Sequence, residues 1–429
     1  MRKFTILLLL FFHVVLIYFR GYFLSIEFTL YPFLASHGFL PYKNIIDQHF
    51  PAIFFGPLSL PAFLTVNPWP LLGIFIITLC LTDVLLYATL IRLKAHHPLM
   101  WLVFYIVSSS YFSGNVLWIE TFINLFLSGW IFLSFSKSKF SCFVSGLLIS
   151  QILLLRPTIL PALIFLIFGL SLPLTPTLIL GFVSGFAVPG IYILRHGLLQ
   201  DFYRLAFDFN GRVYPQSALL LPAKRQIVTL VLWLSPALYH LWKKKKILLL
   251  LSLASLLLLI YPRFGYEHLQ PLFLLTTIYW ALNSGKSNLV LHALVLIFLC
   301  LNILSSIRHP YGNYFLSPEV KSISQTTKAL PGDTIYLLGA SDLIYPLSGK
   351  VPPGLVYLPS LPWYYSQTDF VDRVIRSLSD KKTPVLVDYS TIVDGINIVE
   401  NSGSIYEYIK MNFIEGQKIG NYQIFFPNP

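Results

Sequence analysis

The sequence predicts an α-helical, polytopic membrane protein that carries a small α/β domain at its C-terminal end. Hydrophobic residues make up 56% of the 429 positions and charged residues only 11%, and the mean hydropathy is +0.71. A single soluble globule cannot be built from so few charged side chains. The charge is also uneven, because residues 308–429 hold ten Lys and Arg against eleven Asp and Glu, whereas the preceding part holds twenty against seven.

Long apolar runs follow one another through the first 307 residues, and a membrane helix needs roughly 20 apolar residues. By that measure we expect about eleven crossings. The predicted spans are residues 4–22, 70–92, 99–114, 117–135, 140–155, 158–172, 175–194, 227–242, 247–262, 266–283 and 288–307. A shorter run at residues 51–64 contains three prolines and is expected to lie at the membrane surface as a kinked segment.

Clusters of Lys and Arg indicate how these spans are oriented. The basic residues at positions 2–3, 92–94, 137–139, 243–246 and 286 all fall on one side, which the positive-inside rule assigns to the cytoplasm. The chain is therefore expected to begin in the cytoplasm with a retained signal anchor. Three crossings are counted between residues 140 and 194, and two or four would reverse every later segment.

Two domains are predicted, a membrane domain at residues 1–307 and a small extracytoplasmic α/β domain at residues 308–429. In the second domain, buried strands are expected at 334–339, 384–389 and 423–426, and amphipathic helices at 368–378 and 402–413. The glycines of this domain do not form a phosphate-binding fingerprint and are interpreted as turn residues.

The predicted outer loop at residues 20–69 holds the residues best suited to catalysis. Glu27 lies just beyond the first span, where nearby lipid would raise its pKa and make it a better general base. An interfacial ion pair with Arg20 would also explain this acid. Asp47 and His49 lie on one face of an extended segment, where they could share a divalent metal ion or hold an acceptor. Two ligands alone do not make a zinc site, and His49 could equally cap a turn.

Further polar candidates lie near the outer ends of predicted helices. Glu120 could supply a second acid, and a favourable interaction with the helix dipole would explain it equally well. Five cationic side chains are candidates for charge-assisted hydrogen bonds to a phosphate group: Arg156, Arg204, Arg212, Arg263 and His268. The alternatives are an interfacial anchor for Arg156 and an Arg263–Glu267 pair on one helix. The basic loop that holds Arg204 and Arg212 could also be translocated without binding a phosphate. Asp83, deep in a predicted span, is expected to make a polar contact between helices.

Three groups of residues resemble one known family. They are Glu27 with Ala35, Gly38, Pro41-Tyr42 and Asp47-x-His49-x-Pro51; Tyr261-Pro262-Arg263-Phe264 with His268; and Gly332-Asp333-x-Ile335-Tyr336. In these features the chain resembles the GT-C membrane glycosyltransferases, particularly the bacterial branch similar to family 39 protein mannosyltransferases and the lipid A aminoarabinose transferase. The family usually has an Asp-Glu pair after the first span, whereas Ile26 precedes Glu27 here.

The resemblance implies a GT-C-like fold with many membrane helices, a polyprenyl-phosphate sugar donor and an essential acid in the first outer loop. Glu27 is the first choice for that acid and Asp47 the second. The expected reaction is inverting transfer of a hexose or pentose to a lipid, glycan or protein acceptor at the outer face of the cell membrane. Membrane lipids are further expected partners, no nucleic acid is expected, and a divalent metal ion is the one cofactor considered.

Two other functions are compatible with a polytopic chain. A flippase or transporter of lipid-linked sugars would place ionisable groups deep in the membrane and break helices near its middle. An O-antigen polymerase or ligase would carry its large functional loop late in the chain. Because most acids of residues 1–307 are predicted at one interface, with Asp83 the exception, the sequence favours chemistry at the membrane surface.

Overall fold

The structure is a computed structural model, and it describes residues 2–55, 68–136, 138–170, 174–283, 297, 299–300, 303 and 317–428. This part of the chain is mostly helical and has a small strand region near the C-terminus. The chain forms two compact units. The first consists of Met1–Leu24, Trp69–Gly190 and Leu221–Asn313, and the second of Ser25–Pro68, Ile191–Leu220 and Tyr314–Pro429.

The first unit is built from apolar helices, whose backbone hydrogen bonds are satisfied within each helix and so tolerate apolar surroundings. The α-helices that lie wholly or largely in this unit are Arg2–Arg20, Pro68–Arg92, Pro98–Tyr111, Ile119–Ser134, Lys139–Leu155, Leu160–Gly169, Pro176–Arg195, Lys224–Lys243, Ile247–Leu256 and Gln270–Asn283. Short 3-10 helices occur at Pro157–Ile159, Leu257–Ile260 and Tyr266–Leu269. Phe23–Leu24 and Val116–Leu117 pair as two short parallel strands.

Among the described residues, two helices are long and apolar enough to cross a membrane, Trp69–Arg92 and Pro176–Arg195. A third crossing results if Lys139–Leu155 and Pro157–Gly169, which are bent by 120°, are counted as one broken span. The bend follows from Arg156-Pro157, because Arg156 is extended (φ −153°, ψ 92°) and proline cannot donate a helical hydrogen bond.

The other predicted spans are only partly supported. Shorter apolar helices cover four of them, at Phe4–Arg20, Pro98–Tyr111, Ile119–Ser134 and Ile247–Ile260. The predicted span at 288–307 and the predicted surface segment at 51–64 lie largely outside the described residues. Eleven crossings are therefore not shown in the part of the chain that the structure describes.

Two helices of the first unit approach each other at glycines. A Cβ atom on Gly146 would lie 2.1 Å from the backbone oxygen of Leu178, and one on Gly181 would lie 2.0 Å from the backbone oxygen of Phe143. The helices Lys139–Leu155 and Pro176–Arg195 therefore pack backbone against backbone. Small residues at helix contacts are a common way for helices to associate in lipid.

A four-stranded sheet forms the centre of the second unit. In spatial order its strands are Tyr336–Leu338, Val385–Asp388, Tyr422–Pro427 and Phe413–Ile419. The first two strands pair in parallel, and the remaining pairs are antiparallel. The three predicted strands are therefore present. The edge strand Phe413–Ile419 was not predicted, because its side chains are mostly exposed and lack the buried pattern used to recognise strands.

Helices accompany this sheet in the second unit. They are Glu27–Ser36, Ala52–Phe55, Leu199–Tyr203, Tyr214–Ser217, Pro318–Ala329, Ile344–Ser348, Pro362–Tyr365, Thr368–Lys381, Ile398–Asn401 and Ser404–Asn412, with a 3-10 turn at Pro353–Leu355. A π-helix extends from Arg204 to Val213. Thr368–Lys381 and Ser404–Asn412 correspond to the two helices expected at 368–378 and 402–413.

The second unit joins three stretches that are far apart in the sequence. Tyr357 donates its backbone N–H to the Asn44 oxygen at 2.8 Å and accepts from the Ile46 N–H at 3.0 Å. Asn210 donates its side-chain amide to the Gln48 oxygen at 2.8 Å. These bonds satisfy backbone groups that would otherwise be buried without partners. Residues 25–68, which the sequence assigned to the membrane domain, thus belong to the same unit as the C-terminal segment.

Candidate functional site

Asp47 is a buried acid of the second unit that is hydrogen-bonded on both carboxylate oxygens. Its side chain is buried, with 2% of its surface exposed. The Tyr31 hydroxyl donates to Oδ2, while the backbone N–H of His49 donates to Oδ1 at 2.6 Å and His49 Nδ1 lies 2.6 Å from the same oxygen. Burial alone would raise the pKa of Asp47, but the nearby His49 and these hydrogen bonds lower it below its usual value. Asp47 is therefore held as a carboxylate.

Glu27 is the first residue of the helix Glu27–Ser36 and is half-buried. Burial raises the pKa of Glu27 above its usual value; the charge of Asp47 adds to this effect, whereas its own backbone N–H and the nearby His49 oppose it. No described residue makes a side-chain hydrogen bond or ion pair with its carboxylate. Arg20, its alternative partner in the sequence, donates instead to the backbone oxygen of Tyr111 at 2.9 Å. Glu27 is therefore better able to accept a proton than Asp47.

Asp342 is a third acid near this group, and sequence reasoning missed it. It is half-buried and accepts a hydrogen bond from the Tyr357 hydroxyl at 2.8 Å. Burial raises the pKa of Asp342 to about 7; the Tyr357 hydrogen bond opposes the shift and the charge of Glu27 adds to it. The available signal was its position, because Asp342 follows the strand Tyr336–Leu338 at the carboxyl end of a parallel pair, where ligands commonly bind.

The backbone between Glu27 and Asp47 contains Gly38, one of the residues on which the family resemblance rests. Gly38 has a φ of +86° and ends the helix Glu27–Ser36. Its N–H donates to the Ala35 oxygen, and the Phe39 N–H donates to the Leu34 oxygen, both at 3.1 Å. These two hydrogen bonds, with a glycine in the left-handed conformation, form a Schellman motif that ends the helix. The chain then turns and returns to Asp47.

Two tyrosines and a glutamine hold the segment around Asp47 in place. The Tyr42 hydroxyl donates to the backbone oxygen of His49 at 3.0 Å. Tyr364 donates its hydroxyl to the side-chain oxygen of Gln48 and accepts from the Gln48 N–H at 3.3 Å. The Tyr31 ring stacks on Phe54 with centroids 5.0 Å apart. Because these partners hold Gln48 and His49, the two residues that follow Asp47, its carboxylate has little freedom to reorient.

A second group of predicted candidates meets in the first unit. Glu120 is buried, with 1% exposed, and its Oε1 lies 2.5 Å from Arg156 Nη1 and 3.0 Å from His268 Nδ1. Arg156 Nη2 donates to the backbone oxygen of Leu259. Arg156 and His268 are 17% and 15% exposed. The structure thus brings together three residues that were singled out independently in the sequence.

The helices explain why these three residues meet. Glu120 lies in the first turn of Ile119–Ser134, and Arg156 lies at the break before Pro157, where the bend turns its side chain out of a regular helix. His268 lies in the 3-10 helix Tyr266–Leu269, and its Nε2 is 3.9 Å from Glu267 Oε1. Arg263 precedes this helix and is partly exposed.

Arg204 and Arg212, the other predicted phosphate-binding residues, both pair with acids of the second unit. Arg204 donates to Asp369, and its guanidinium lies 4.7 Å from the centre of the Phe370 ring. Arg212 Nε lies 3.0 Å from Asp208 Oδ1, one helical turn away. A phosphate group would have to compete with Asp369 for Arg204. The Arg204–Asp369 contact therefore links residues 195–225 to the helix Thr368–Lys381.

Neither the family models nor the curated proteins contain a match to this chain. Within the described ranges, no group of three or more His, Cys, Asp and Glu side chains is arranged to hold a metal ion. Asp47 and His49 contact each other directly through Nδ1 and Oδ1. A divalent ion at this pair would have to displace that contact, so the residues present do not fit the metal that the sequence allowed.

Proposed function

We propose that the chain is an inverting glycosyltransferase of the GT-C type, with about eleven membrane crossings and its reaction at the outer face. It would transfer a sugar from polyprenyl phosphate to a lipid, glycan or protein acceptor. The proposal is carried by the difference between two carboxylates of one unit. Asp47 is hydrogen-bonded on both oxygens and held ionised, whereas Glu27 has a raised pKa and no described side-chain partner.

The proposed reaction requires a proton acceptor. The acceptor's hydroxyl or amine attacks the anomeric carbon on the face opposite the leaving phosphate, as in other inverting reactions of sugars. The new bond forms as the sugar–phosphate bond breaks, the bonding electrons leave with the phosphate, and a base takes the acceptor's proton. A general base works best when its pKa lies near the working pH. Of the two acids that the sequence singled out in this unit, Glu27 has its pKa shifted toward that range and Asp47 has its pKa shifted away from it, which supports Glu27 as the base, with Asp47 and His49 orienting the acceptor.

Cationic side chains suited to binding a phosphate group are also proposed in the first unit. Arg263 and His268 are the candidates there, because both are partly exposed. Arg156 uses Nη1 for Glu120 and Nη2 for the Leu259 oxygen, so its proposed role is to hold Glu120, which in turn contacts His268. Charge-assisted hydrogen bonds of this kind are the usual way in which cationic side chains bind phosphate groups.

The test is donor cleavage by the purified full-length chain in vesicles. Short-chain polyprenyl phosphates carrying a hexose or a pentose are supplied with acceptors from a membrane extract, and free polyprenyl phosphate is measured. Glu27→Gln should lower its release by about 10²–10⁴-fold, which is the usual contribution of a general base. Glu407→Gln, an acid whose side chain is 53% exposed, is the matched control. Wild-type release by Glu27→Gln would contradict the proposal.

A lipid-linked sugar transporter is the second candidate, because one observation favours it. His13 Nδ1 lies 2.7 Å from Asp83 Oδ2, and both side chains are almost completely buried between apolar helices. Ionisable pairs inside membrane segments often mark transport pathways. The same vesicles distinguish the two functions. A transporter would move the donor across the bilayer without releasing polyprenyl phosphate, and Asp83→Asn, not Glu27→Gln, would stop it.

A further inference from the structure

The segment between the helices Pro176–Arg195 and Lys224–Lys243 presents an apolar ridge to solvent. Leu199, Tyr203 and Phe207, spaced four residues apart, are 57%, 63% and 48% exposed. The rings of Tyr203 and Phe207 stack with their centroids 5.7 Å apart. Leu219 and Leu220 continue the exposed apolar surface further along the segment. Contiguous exposed apolar side chains of this kind usually mark an interaction surface.

The opposite side of the same segment is anchored in the second unit. Leu205, Ala206 and Phe209 are buried, and the Phe209 ring stacks on Tyr364 at 5.3 Å. Asn210 donates to the Gln48 oxygen, and Arg204 donates to Asp369. The helices Leu199–Tyr203 and Arg204–Val213 are therefore held in place by their inner side. Their outward ridge is a fixed feature of the fold.

Charge and chain connectivity indicate what covers the ridge. Residues 195–225 carry five Lys and Arg against two Asp, a net charge of +3. Leu199 follows the end of Pro176–Arg195, a helix long and apolar enough to cross a membrane, by four residues, and four residues reach at most about 14 Å. A short amphipathic helix inside a connecting segment of net positive charge, with an exposed Tyr and an adjacent membrane helix, is typical of segments that lie in a bilayer interface.

We propose that the ridge Leu199, Tyr203 and Phe207 inserts into the surface of a lipid bilayer that carries anionic headgroups. Arg212, whose side chain is 83% exposed, meets the headgroup phosphates beside the ridge. The second unit is thereby docked on the membrane through the basic segment. This role is independent of the sugar donor, so it would hold for a transferase and for a transporter.

The test places an environment-sensitive fluorophore on the ridge of the full-length protein. Cys80, Cys142 and Cys300 are replaced by Ala, and Tyr203→Cys or Phe207→Cys is labelled in vesicles that contain a lipid quencher attached near the headgroup. Since interfacial helices insert about 5–10 Å into the boundary between headgroups and acyl chains, both labels should be quenched and shifted to shorter emission wavelength. Met411→Cys is the matched control, because Met411 is 72% exposed in the same unit.

Each outcome decides the proposal. Emission and quenching at positions 203 and 207 equal to those at 411 would overturn it. Quenching that depends on protein density and not on the lipid quencher would also overturn it, because a second copy of the chain would then cover the ridge. In vesicles that contain phosphatidylglycerol, Arg212→Gln should lower the inserted population roughly fivefold, since one basic residue near such a surface is worth about 1 kcal/mol. If Arg212→Gln leaves the inserted population unchanged, the proposed contact with anionic headgroups is wrong.

Discussion

The candidate acids of the two units differ in their electrostatic partners. In the first unit, Glu120 is 1% exposed and its Oε1 contacts both Arg156 and His268. In the second unit, Glu27 is half-buried, its pKa is raised, and no described side chain pairs with it. Asp47, near Glu27, accepts hydrogen bonds on both carboxylate oxygens and is held ionised.

This difference teaches that burial and pairing have to be considered together. A buried carboxylate with a cationic partner is fixed in charge and position, which suits a role in orienting its neighbours. A carboxylate that is partly desolvated without a partner binds its proton more tightly, which suits proton transfer. The sequence placed Glu27 just beyond the first predicted span and Glu120 near the outer end of another, and neither position indicates which acid is paired.

The strongest test of this comparison is the stability of two matched variants. Glu120→Gln leaves Arg156 without its charged partner and should cost about 3 kcal/mol, because breaking one side of a buried pair is strongly destabilising. Glu27→Gln should change the free energy of unfolding by less than about 0.5 kcal/mol, because no described side-chain partner is lost. SDS titration of the purified protein in mixed micelles measures both. Equal costs would remove the distinction between the two acids.

A second test compares the packing of the two units at glycines. Gly146→Ala should destabilise the protein by about 1–3 kcal/mol, because its Cβ would meet the Leu178 backbone and overpacking in a tight contact has this cost. At Gly211 in the second unit and Gly190 in the first, a Cβ atom has nothing within 4 Å. Alanine at these two helical positions should stabilise by about 0.5–1 kcal/mol. The thermal unfolding midpoints of the three variants decide whether the close helix contact exists.

The smallest expected effect is a shift in the pH dependence of transfer. The proposed base Glu27 would act only when ionised, so the rate should fall as the pH drops through its raised pKa, above the usual value of 4.5. Asp47→Asn removes a charge that raises this pKa. The acidic limb should therefore move down by about one pH unit. Asp380→Asn, an exposed acid of the same unit, should leave the limb unchanged; an unshifted limb in Asp47→Asn would argue for a different base.

Helix positions were the part of the fold most accessible from the sequence. The predicted span at 70–92 corresponds to Pro68–Arg92, and the one at 175–194 to Pro176–Arg195. These predictions rest on long apolar runs, which are local properties of the chain. The break at Arg156-Pro157 was also predictable, because proline ends helices for a local steric reason. The angle of that bend, 120°, could not be predicted from the sequence.

The candidate site was predicted only in part. Glu27, Asp47 and Glu120 were recognised because acids are rare in residues 1–307. Asp342 was missed because it lies among many other acids of the C-terminal segment, where its residue type carries no signal. Its importance comes from burial beside Tyr357 and from the charge of Glu27, residues that no local pattern connects to it.

By itself, the sequence determined where the apolar helices lie and that a small strand region follows them, because hydrophobic runs and alternation act over a few neighbouring residues. Only the tertiary structure decided which acids are paired and which keep a raised pKa. Glu120 meets Arg156 and His268 across 36 and 148 residues of sequence. Such contacts depend on how distant segments pack, and electrostatic shifts depend on those contacts.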